Sequence, residues 1–209
     1  MEDGACSPCA DRSFHSQSSI LHPRFEKLNM AEKKSQLLKA RLRRVKLFLC
    51  DVDGVLTDGS VLIGGAREIK RFNIRDGLGL VFLRRAGLQV GWVSARPSAV
   101  TKLRAAELQI DFLVEQNDQI SKTGAVGNLL RRIKLDWDAV CFVGDDVVDL
   151  GPLKRAGFAV AVGDARPEVK AAAHSVTGAP GGHGAVREVA EMLLKAQGQW
   201  DAIVAHYSK

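Results

Sequence analysis

An apolar run that ends abruptly at two carboxylates limits what this chain can fold into. The run 47–50 leads directly to Asp51, and Asp53 follows one apolar residue later. A short continuous apolar run of this kind is typical of a buried strand. Residues two apart in an extended segment lean to the same side, so two charged acids there would repel each other in a partly desolvated site. Mg²⁺ would relieve that repulsion and often shares such oxygen sites with phosphate, which favours phosphoryl transfer.

The middle of the chain alternates short apolar runs with helical periods. This rhythm predicts an α/β fold, a Rossmann-like parallel sheet with helices on both faces. Residues 60–74 place apolar runs on either side of Gly64-Gly65, which predicts a β-hairpin before the first helix of the sheet region. The strands of the parallel sheet are expected near residues 45–50, 89–93, 111–114, 139–143 and 158–162.

Capping residues predict where several helices begin and end. Asp76 is the expected N-cap of a helix that runs to Arg85 and is ended by Gly87. Pro97 is expected to open the next helix, because proline suits a first helical turn. The glycine-rich segment 178–184 predicts a loop before a final helix through Lys195.

The two ends of the chain differ from this regular middle. Residues 1–29 are polar without periodicity and predict a mobile leader, with Met30 a candidate start site. Residues 30–44 predict a basic helical lead-in, 45–197 the catalytic domain, and 198–209 a C-terminal tail. Residues 1–45 carry nine Lys or Arg against five Asp or Glu, which is four of the six net positive charges. A solvated basic tail explains this better than a nucleic-acid site.

Membrane and secretion signals are absent from the sequence. No stretch approaches the roughly 18 apolar residues that a membrane span needs. No signal-peptide apolar core is present either, so a cytoplasmic location is expected.

Polar groups follow four of the predicted strands. Each has an ordinary structural explanation, such as a helix cap for Ser94, a solvated Lys122, or first-turn acids for Asp145 and Asp146. Ligands of open α/β sheets collect at the carboxyl ends of the strands, however, so the placement of all of them at successive strand ends predicts one site. The set comprises Asp51 and Asp53, Ser94, Lys122, and Gly144-Asp145-Asp146 with Asp149.

This ordered set resembles the haloacid dehalogenase superfamily and, within it, the 3-deoxy-D-manno-octulosonate 8-phosphate phosphatase family. The likeness runs from about Val45 to Gln197. The motifs are Asp51-Val-Asp-Gly-Val-Leu-Thr-Asp-Gly59, Phe72-Asn-Ile-Arg-Asp-Gly77, Ser94-Ala-Arg96, Lys122, Gly144-Asp-Asp-Val-Val-Asp149 and Gly181-Gly-His-Gly-Ala-Val-Arg-Glu188. The chain departs from the family pattern at Ala95, where glycine is usual, at His183, where arginine is frequent, and in a longer segment 115–121.

The resemblance implies a catalytic role for each of these residues. Asp51 would be the nucleophile that forms an aspartyl phosphate, and Asp53 would be the general acid and then the base. Ser94 and Lys122 would bind phosphoryl oxygens. Mg²⁺ would be held by the Asp51 side chain, the Asp53 carbonyl and Asp145. Asp146 and Asp149 would orient the metal's waters or the lysine.

The resemblance also implies a substrate and an assembly. Arg75, Arg96 and Arg187 are the candidates for binding the carboxylate of a sugar-acid phosphate, and the first two match the octulosonate branch. Residues 60–74 leave no room for a cap domain, so the chain is expected to be a capless haloacid dehalogenase type. Neighbouring subunits of a homotetramer would then complete each active site.

Three other interpretations remain open from the sequence. A nine-carbon sialate-type 9-phosphate is the alternative substrate, and a non-catalytic tetramerisation module is the alternative role. A sugar-nucleotide glycosyltransferase could also hold a metal with two such acids, but it would not explain Ser94, Lys122 and Asp145 at successive strand ends.

Overall fold

A parallel six-stranded sheet forms the centre of the structure, a computed structural model that describes residues 23–64, 67–115 and 121–209. The strands are β1 Leu47–Cys50, β2 Leu62–Gly64, β3 Arg67–Ile69, β4 Gln89–Ser94, β5 Phe112–Glu115, β6 Val140–Gly144, β7 Phe158–Ala161 and β8 Ser175–Val176. The order in the large sheet is β5-β4-β1-β6-β7-β8, and every neighbouring pair is parallel. The predicted α/β fold is confirmed. β8 was not predicted because two residues carry no periodicity.

Helices cover both faces of this sheet. The helices of the structure are α1 Pro23–Arg44, α2 Ile74–Arg85, α3 Ala99–Glu107, α4 Lys122–Ile133, α5 Leu150–Arg155, α6 Pro167–Ala172, α7 Ala185–Ala196 and α8 Trp200–Tyr207. Right-handed crossovers place α2 and α3 on one face, because β1, β4 and β5 progress in one direction across the sheet. The later strands progress the other way and place α4, α5 and α6 on the opposite face. Among the described residues, every helix is too short or too polar to span a bilayer.

The central strands are buried on both faces, which explains their continuous apolar sequences. Every residue of β1, β6 and β7 is buried. Parallel strands covered by helices on both sides lose the alternation that marks a half-exposed strand. The register pairs Leu47 with Gln89 on one side and with Val140 on the other. The residue after β1 is therefore held between two neighbouring strand ends.

The predicted hairpin in residues 60–74 is present. β2 and β3 pair antiparallel, with Leu62 opposite Ile69. Residues 65 and 66 of its turn lie outside the described residues. The apolar side chains of Leu62, Ile63 and Ile69 are exposed. The two strands form a sheet of their own, separate from the central one.

The N-cap predicted for α2 is wrong. The N-cap is Asn73, whose side chain accepts a hydrogen bond from the Arg75 backbone N–H at 2.8 Å. Asp76 lies in the first turn, where it is buried and accepts from the backbone N–H groups of Gly184 at 3.2 Å and Arg187 at 2.7 Å. Its carboxylate thus satisfies free N–H donors at the start of α7. Asp76 therefore caps a helix that is remote in sequence and not the helix in which it lies.

The predicted start of α3 at Pro97 is also displaced. The helix begins at Ala99, and Ser98 is the N-cap, with its hydroxyl accepting from the Thr101 backbone N–H at 3.2 Å. Serine satisfies one of the free N–H groups at a helix start, whereas proline has no side-chain acceptor to do so. Pro97 therefore precedes the helix.

Both ends of the chain carry more helix than predicted. α1 begins at Pro23, seven residues before the predicted start, so the last part of the predicted leader is helical; residues 1–22 lie outside the described residues. The C-terminal tail contains α8, whose Trp200 and Tyr207 rings lie 6.2 Å and 5.7 Å from the Phe82 ring. Aromatic packing against α2 explains why this short segment is helical. All strands and α2 to α8 belong to the second of two units, Gln36–Lys209.

Candidate active site

A buried lysine connects the two acidic motifs of the site. Asp51 follows β1, and its backbone N–H donates to the Val143 carbonyl at 3.0 Å, which continues the ladder with β6. Lys122 opens α4, and its Nζ lies 2.7 Å from Asp51 Oδ2 and 2.7 Å from Asp149 Oδ1. All three side chains are buried. The fold thus brings together one cation and two carboxylates that the sequence places at separate strand ends.

Asp149 orients both the lysine and the loop that carries Asp145. Its Oδ1 accepts from Lys122, and its Oδ2 accepts from the backbone N–H groups of Asp145 at 3.1 Å and Asp146 at 3.5 Å. This arrangement suits its predicted supporting role. Asp146 is exposed, and its side chain accepts from the Val147 N–H at 2.6 Å to cap the short 3₁₀ helix that follows. Asp146 stabilises the turn here, and its role toward a metal stays a prediction.

Three carboxylates form a group that can hold a cation. Oxygen atoms of Asp51, Asp145 and Asp149 all lie within 4.8 Å of one another. Burial and neighbouring negative charge raise the pKa of Asp51 and of Asp145 to about 7, although Lys122 opposes both shifts. Asp145 Oδ1 is buried and has no hydrogen-bond partner among the described residues. A hard divalent cation fits this group because it takes carboxylate oxygens and removes the repulsion between them.

Gly54 allows the two acidic loops to approach each other. Its φ is +90°, and a Cβ there would lie 2.1 Å from Asp145 Oδ2. The turn around it is held by the backbone N–H groups of Leu56 and Thr57, which donate to the Val52 carbonyl at 3.0 Å and 3.1 Å. Only glycine adopts this conformation without strain and leaves the space that Asp145 occupies.

The second acid of the first motif has different partners. Asp53 Oδ1 lies 2.7 Å from Lys70 Nζ, and Asp53 Oδ2 lies 3.7 Å from the Arg96 guanidinium. Arg96 also forms a short ion pair with Glu68, a residue of β3. Asp51 and Asp53 are two residues apart, yet they lie in separate charge environments. One is paired with the lysine of α4, and the other with the lysine that follows the hairpin.

Ser94 shapes the loop that carries Arg96. It is buried at the end of β4, and its hydroxyl donates to the Arg96 carbonyl at 2.8 Å while accepting from the Arg96 N–H at 3.2 Å. The strand end therefore turns so that Arg96 reaches Asp53. The predicted contact of Ser94 with phosphate stays a prediction.

This chain is similar to known phosphatases. The model of the haloacid dehalogenase-like hydrolases matches residues 82–189. The 3-deoxy-D-manno-octulosonate 8-phosphate phosphatase of Escherichia coli K12 is 37% identical over 163 residues, which is 78% of this chain and 86% of that protein. The phosphatase of the same name from Yersinia pestis is 37% identical over 158 residues, 75% of this chain and 83% of that protein. The chain belongs to this phosphatase family, within the haloacid dehalogenase superfamily.

Solved structures of the family have the same fold. The 3-deoxy-D-manno-octulosonate 8-phosphate phosphatase of Moraxella catarrhalis, crystallised with magnesium ion, phosphate ion and the sugar acid, superposes with a TM-score of 0.78 at 34% identity. The match covers 81% of this chain and 97% of that one. A probable phosphatase from Pseudomonas syringae gives a TM-score of 0.80 at 37% identity and covers 83% and 98%. The enzyme class predicted from the sequence, a phosphoric monoester hydrolase, is confirmed.

The three arginines predicted to bind the substrate carboxylate are not gathered at one place in a single chain of this phosphatase. Arg96 reaches Asp53. Arg75 is exposed on α2. Arg187 Nε lies 2.8 Å from Glu191 Oε1, and its guanidinium lies over the rings of Phe82 and Trp200. Arg187 therefore belongs to an aromatic cluster on α2, α7 and α8, and its role toward substrate gains no support from these contacts.

Sequence reasoning missed two charged residues of the site. Glu68 and Lys70 lie two positions apart at the end of β3, and they pair with residues of two loops: Glu68 with Arg96, and Lys70 with Asp53. The available signal was their alternation with Ile69, which is exposed on the other side. Because charged residues in a surface hairpin are usually solvated, this alternation alone did not mark them as part of a site.

Proposed function

We propose that this phosphatase hydrolyses 3-deoxy-D-manno-octulosonate 8-phosphate to the free sugar acid and phosphate, with Mg²⁺ and through an aspartyl phosphate on Asp51. The observation that carries the mechanism is the separation of partners within the first motif. Asp51 contacts Lys122, and Asp53 contacts Lys70 and Arg96. A nucleophile and a proton carrier need this difference, because one must attack phosphorus while the other serves the leaving oxygen.

In the first step, a carboxylate oxygen of Asp51 attacks phosphorus, and the bond between phosphorus and the 8-oxygen of the sugar breaks. Lys122 lies beside Asp51 and offers positive charge where negative charge spreads over the phosphoryl oxygens. Asp53 gives a proton to the departing oxygen. In the second step, Asp53 takes a proton from water, which attacks the aspartyl phosphate and releases inorganic phosphate with Asp51 restored.

Asp51, Asp145 and the Asp53 carbonyl are the residues proposed to hold Mg²⁺. Asp149 accepts hydrogen bonds from Lys122 and from two backbone N–H groups, so its proposed role is to orient these groups and not to bind the metal. When bound, Mg²⁺ neutralises part of the charge that Asp51 and the phosphate share, which allows two anions to approach. The raised pKa of Asp51 and of Asp145 fits this role, because a nearby cation favours their ionised forms.

The 8-phosphate of this sugar acid is the proposed substrate because the family relatives are named as its phosphatases. Arg96 is the proposed partner of the substrate carboxylate, since it lies beside Asp53 with about half of its side chain exposed. Its planar fork suits a carboxylate. We place the reaction in lipopolysaccharide precursor synthesis in the cytoplasm.

Assembly into a homotetramer is part of the proposal. The hairpin exposes three large apolar side chains, Leu62, Ile63 and Ile69. A two-stranded hairpin is marginally stable alone, and exposed apolar edges favour association. Neighbouring subunits would then cover an active site that has no cap domain. Sedimentation of the active protein tests this, and a fully active monomer would contradict it.

The direct test is a phosphate-release panel with octulosonate 8-phosphate, a sialate-type 9-phosphate and simple sugar phosphates, each with Mg²⁺ and with EDTA. We expect the highest kcat/KM with the eight-carbon acid, no turnover in EDTA, and none in Asp51→Asn. A preference for the nine-carbon substrate would overturn the substrate assignment alone. Release from none of the substrates by a stable tetramer would favour a non-catalytic module.

A further inference from the structure

We propose that Lys70 is a positioning residue for the acid–base step: its ammonium holds one oxygen of Asp53, so that the other oxygen is directed to the leaving group. This rests on the proposed function and deepens it. Lys70 Nζ lies 2.7 Å from Asp53 Oδ1 and 3.1 Å from Thr101 Oγ1. Arg96 approaches the other oxygen, Asp53 Oδ2, at 3.7 Å.

The burial of Lys70 makes this contact more than a surface ion pair. Its side chain is 0% exposed, whereas Asp53 is 28% exposed. A buried ammonium is tolerated when it is paired and hydrogen-bonded: Lys70 forms ion pairs with Asp53 and, at 3.7 Å, with Glu68, and it donates a hydrogen bond to Thr101. Lys70 is therefore held in place, and it in turn fixes Asp53, whose carboxylate reaches solvent and substrate.

Glu68 extends this arrangement to the neighbouring loop. Its carboxylate accepts from the Ser98 hydroxyl at 2.9 Å and pairs with Arg96. Lys70 and Arg96 carry two positive charges, and Asp53 and Glu68 carry two negative ones, so the group is balanced. The end of the hairpin is thus joined to the start of α3 and to the catalytic loop, which gives Lys70 a rigid base.

A fixed Asp53 matters most when the leaving group needs a proton. A sugar alkoxide is a poor leaving group, whereas p-nitrophenolate departs without protonation. General acid catalysis accelerates a reaction by about 10²–10⁴-fold. A misplaced Asp53 should therefore lose a substantial part of this acceleration with the sugar phosphate and little of it with p-nitrophenyl phosphate. A lysine that served only to anchor the hairpin would affect both substrates alike.

The test is Lys70→Met, which keeps most of the length of the side chain and removes its charge, in the full-length protein with Mg²⁺. The first step is measured as the burst of alcohol release, with octulosonate 8-phosphate and with p-nitrophenyl phosphate. We expect a loss of about 10- to 100-fold with the sugar phosphate and less than about threefold with the aryl phosphate. The second step should slow equally with both substrates, because both give the same aspartyl phosphate.

Two further variants make the result decisive. Thr101→Val removes only the hydroxyl that fixes Lys70, so it should give the same preferential loss at smaller size, and it serves if Lys70→Met does not fold. Lys102→Met removes an exposed lysine that pairs with Glu115 at 3.1 Å, and it should change neither step. Equal loss of the first step with both substrates in Lys70→Met and Thr101→Val would overturn the proposal. Asp51→Asn distinguishes a failure of this proposal from a failure of the mechanism on which it rests, because an active Asn variant would refute the aspartyl-phosphate mechanism.

Discussion

Removing Lys122 should measure how much this buried lysine stabilises the folded protein by compensating the carboxylates around it. Lys122 Nζ lies 2.7 Å from carboxylate oxygens of both Asp51 and Asp149, and its side chain is 1% exposed. Lys122→Met leaves these acids facing each other and Asp145 without a counter-charge. Breaking a buried ion pair costs about 3–5 kcal/mol, because the remaining charge is left uncompensated. This is a large part of the roughly 5–15 kcal/mol that stabilises a typical domain.

Lys195→Met is the matched control, because this lysine also pairs with a carboxylate but on the surface. Its Nζ lies 2.9 Å from Glu191 Oε2, and its side chain is 55% exposed. Such pairs contribute about 0–1 kcal/mol. In EDTA, we expect the free energy of unfolding to fall by roughly 3 kcal/mol more in Lys122→Met than in Lys195→Met. Mg²⁺ should narrow that gap, since the cation restores positive charge beside Asp51.

Urea unfolding followed by tryptophan fluorescence provides the assay, since Trp92 is fully buried in β4. The protein concentration must be equal in all samples, because any assembly adds to apparent stability. The slope of the free energy with urea should be unchanged, so that the midpoint reports stability alone. Equal losses in the two variants, or a gap that Mg²⁺ does not narrow, would refute the account of the buried pair.

Three other predictions concern the metal group and the hairpin. In EDTA, unfolding free energy should fall as pH rises from about 4 to about 8. The reason is that the folded-state pKa of Asp51 and of Asp145 is raised from 3.8 to about 7, so the stability they contribute is full below pH 3.8 and lost through pH 7. Urea midpoints across this range measure it, and Mg²⁺ should flatten the profile. Gly54→Ala should lose activity and most of the thermal stabilisation by Mg²⁺, because its Cβ would lie 2.1 Å from Asp145 Oδ2. Normal activity in that variant would contradict the close approach. Leu62→Lys should shift sedimentation toward smaller species and lower activity, because it charges the exposed apolar face that Leu62 shares with Ile69; an unchanged sedimentation coefficient would count against assembly through this face.

The sequence predicts which polar residues the fold brings together, because the carboxyl ends of parallel strands lie at one edge of the sheet. Asp51 and Lys122 are separated by about seventy positions, yet both follow strands whose carboxyl ends meet. Order along the chain was therefore enough to place them together. The same rule reached Asp149, whose carboxylate holds the lysine and the loop of Asp145.

Features that depend on how surface elements dock could not be predicted in this way. Lys70 directly follows β3 and the exposed Ile69, and its own burial depends on contacts with Asp53 and Thr101. Asp76 carries a capping signal for α2 but caps α7. Arg187 is fixed by Glu191 and two aromatic rings from other elements. Each of these placements involves contacts with residues of other elements, which local patterns do not encode.

The covalent role of Asp51 is the central claim, and trapping the phosphoenzyme tests it most directly. The protein is mixed with octulosonate 8-phosphate and Mg²⁺, quenched in acid within one turnover, digested and mapped by mass spectrometry. The account predicts a phosphorylated peptide whose modified residue is Asp51, with formation preceding phosphate release and no such peptide in Asp51→Asn. Phosphate release without any modified peptide, or a phosphoryl group on another residue, would contradict it.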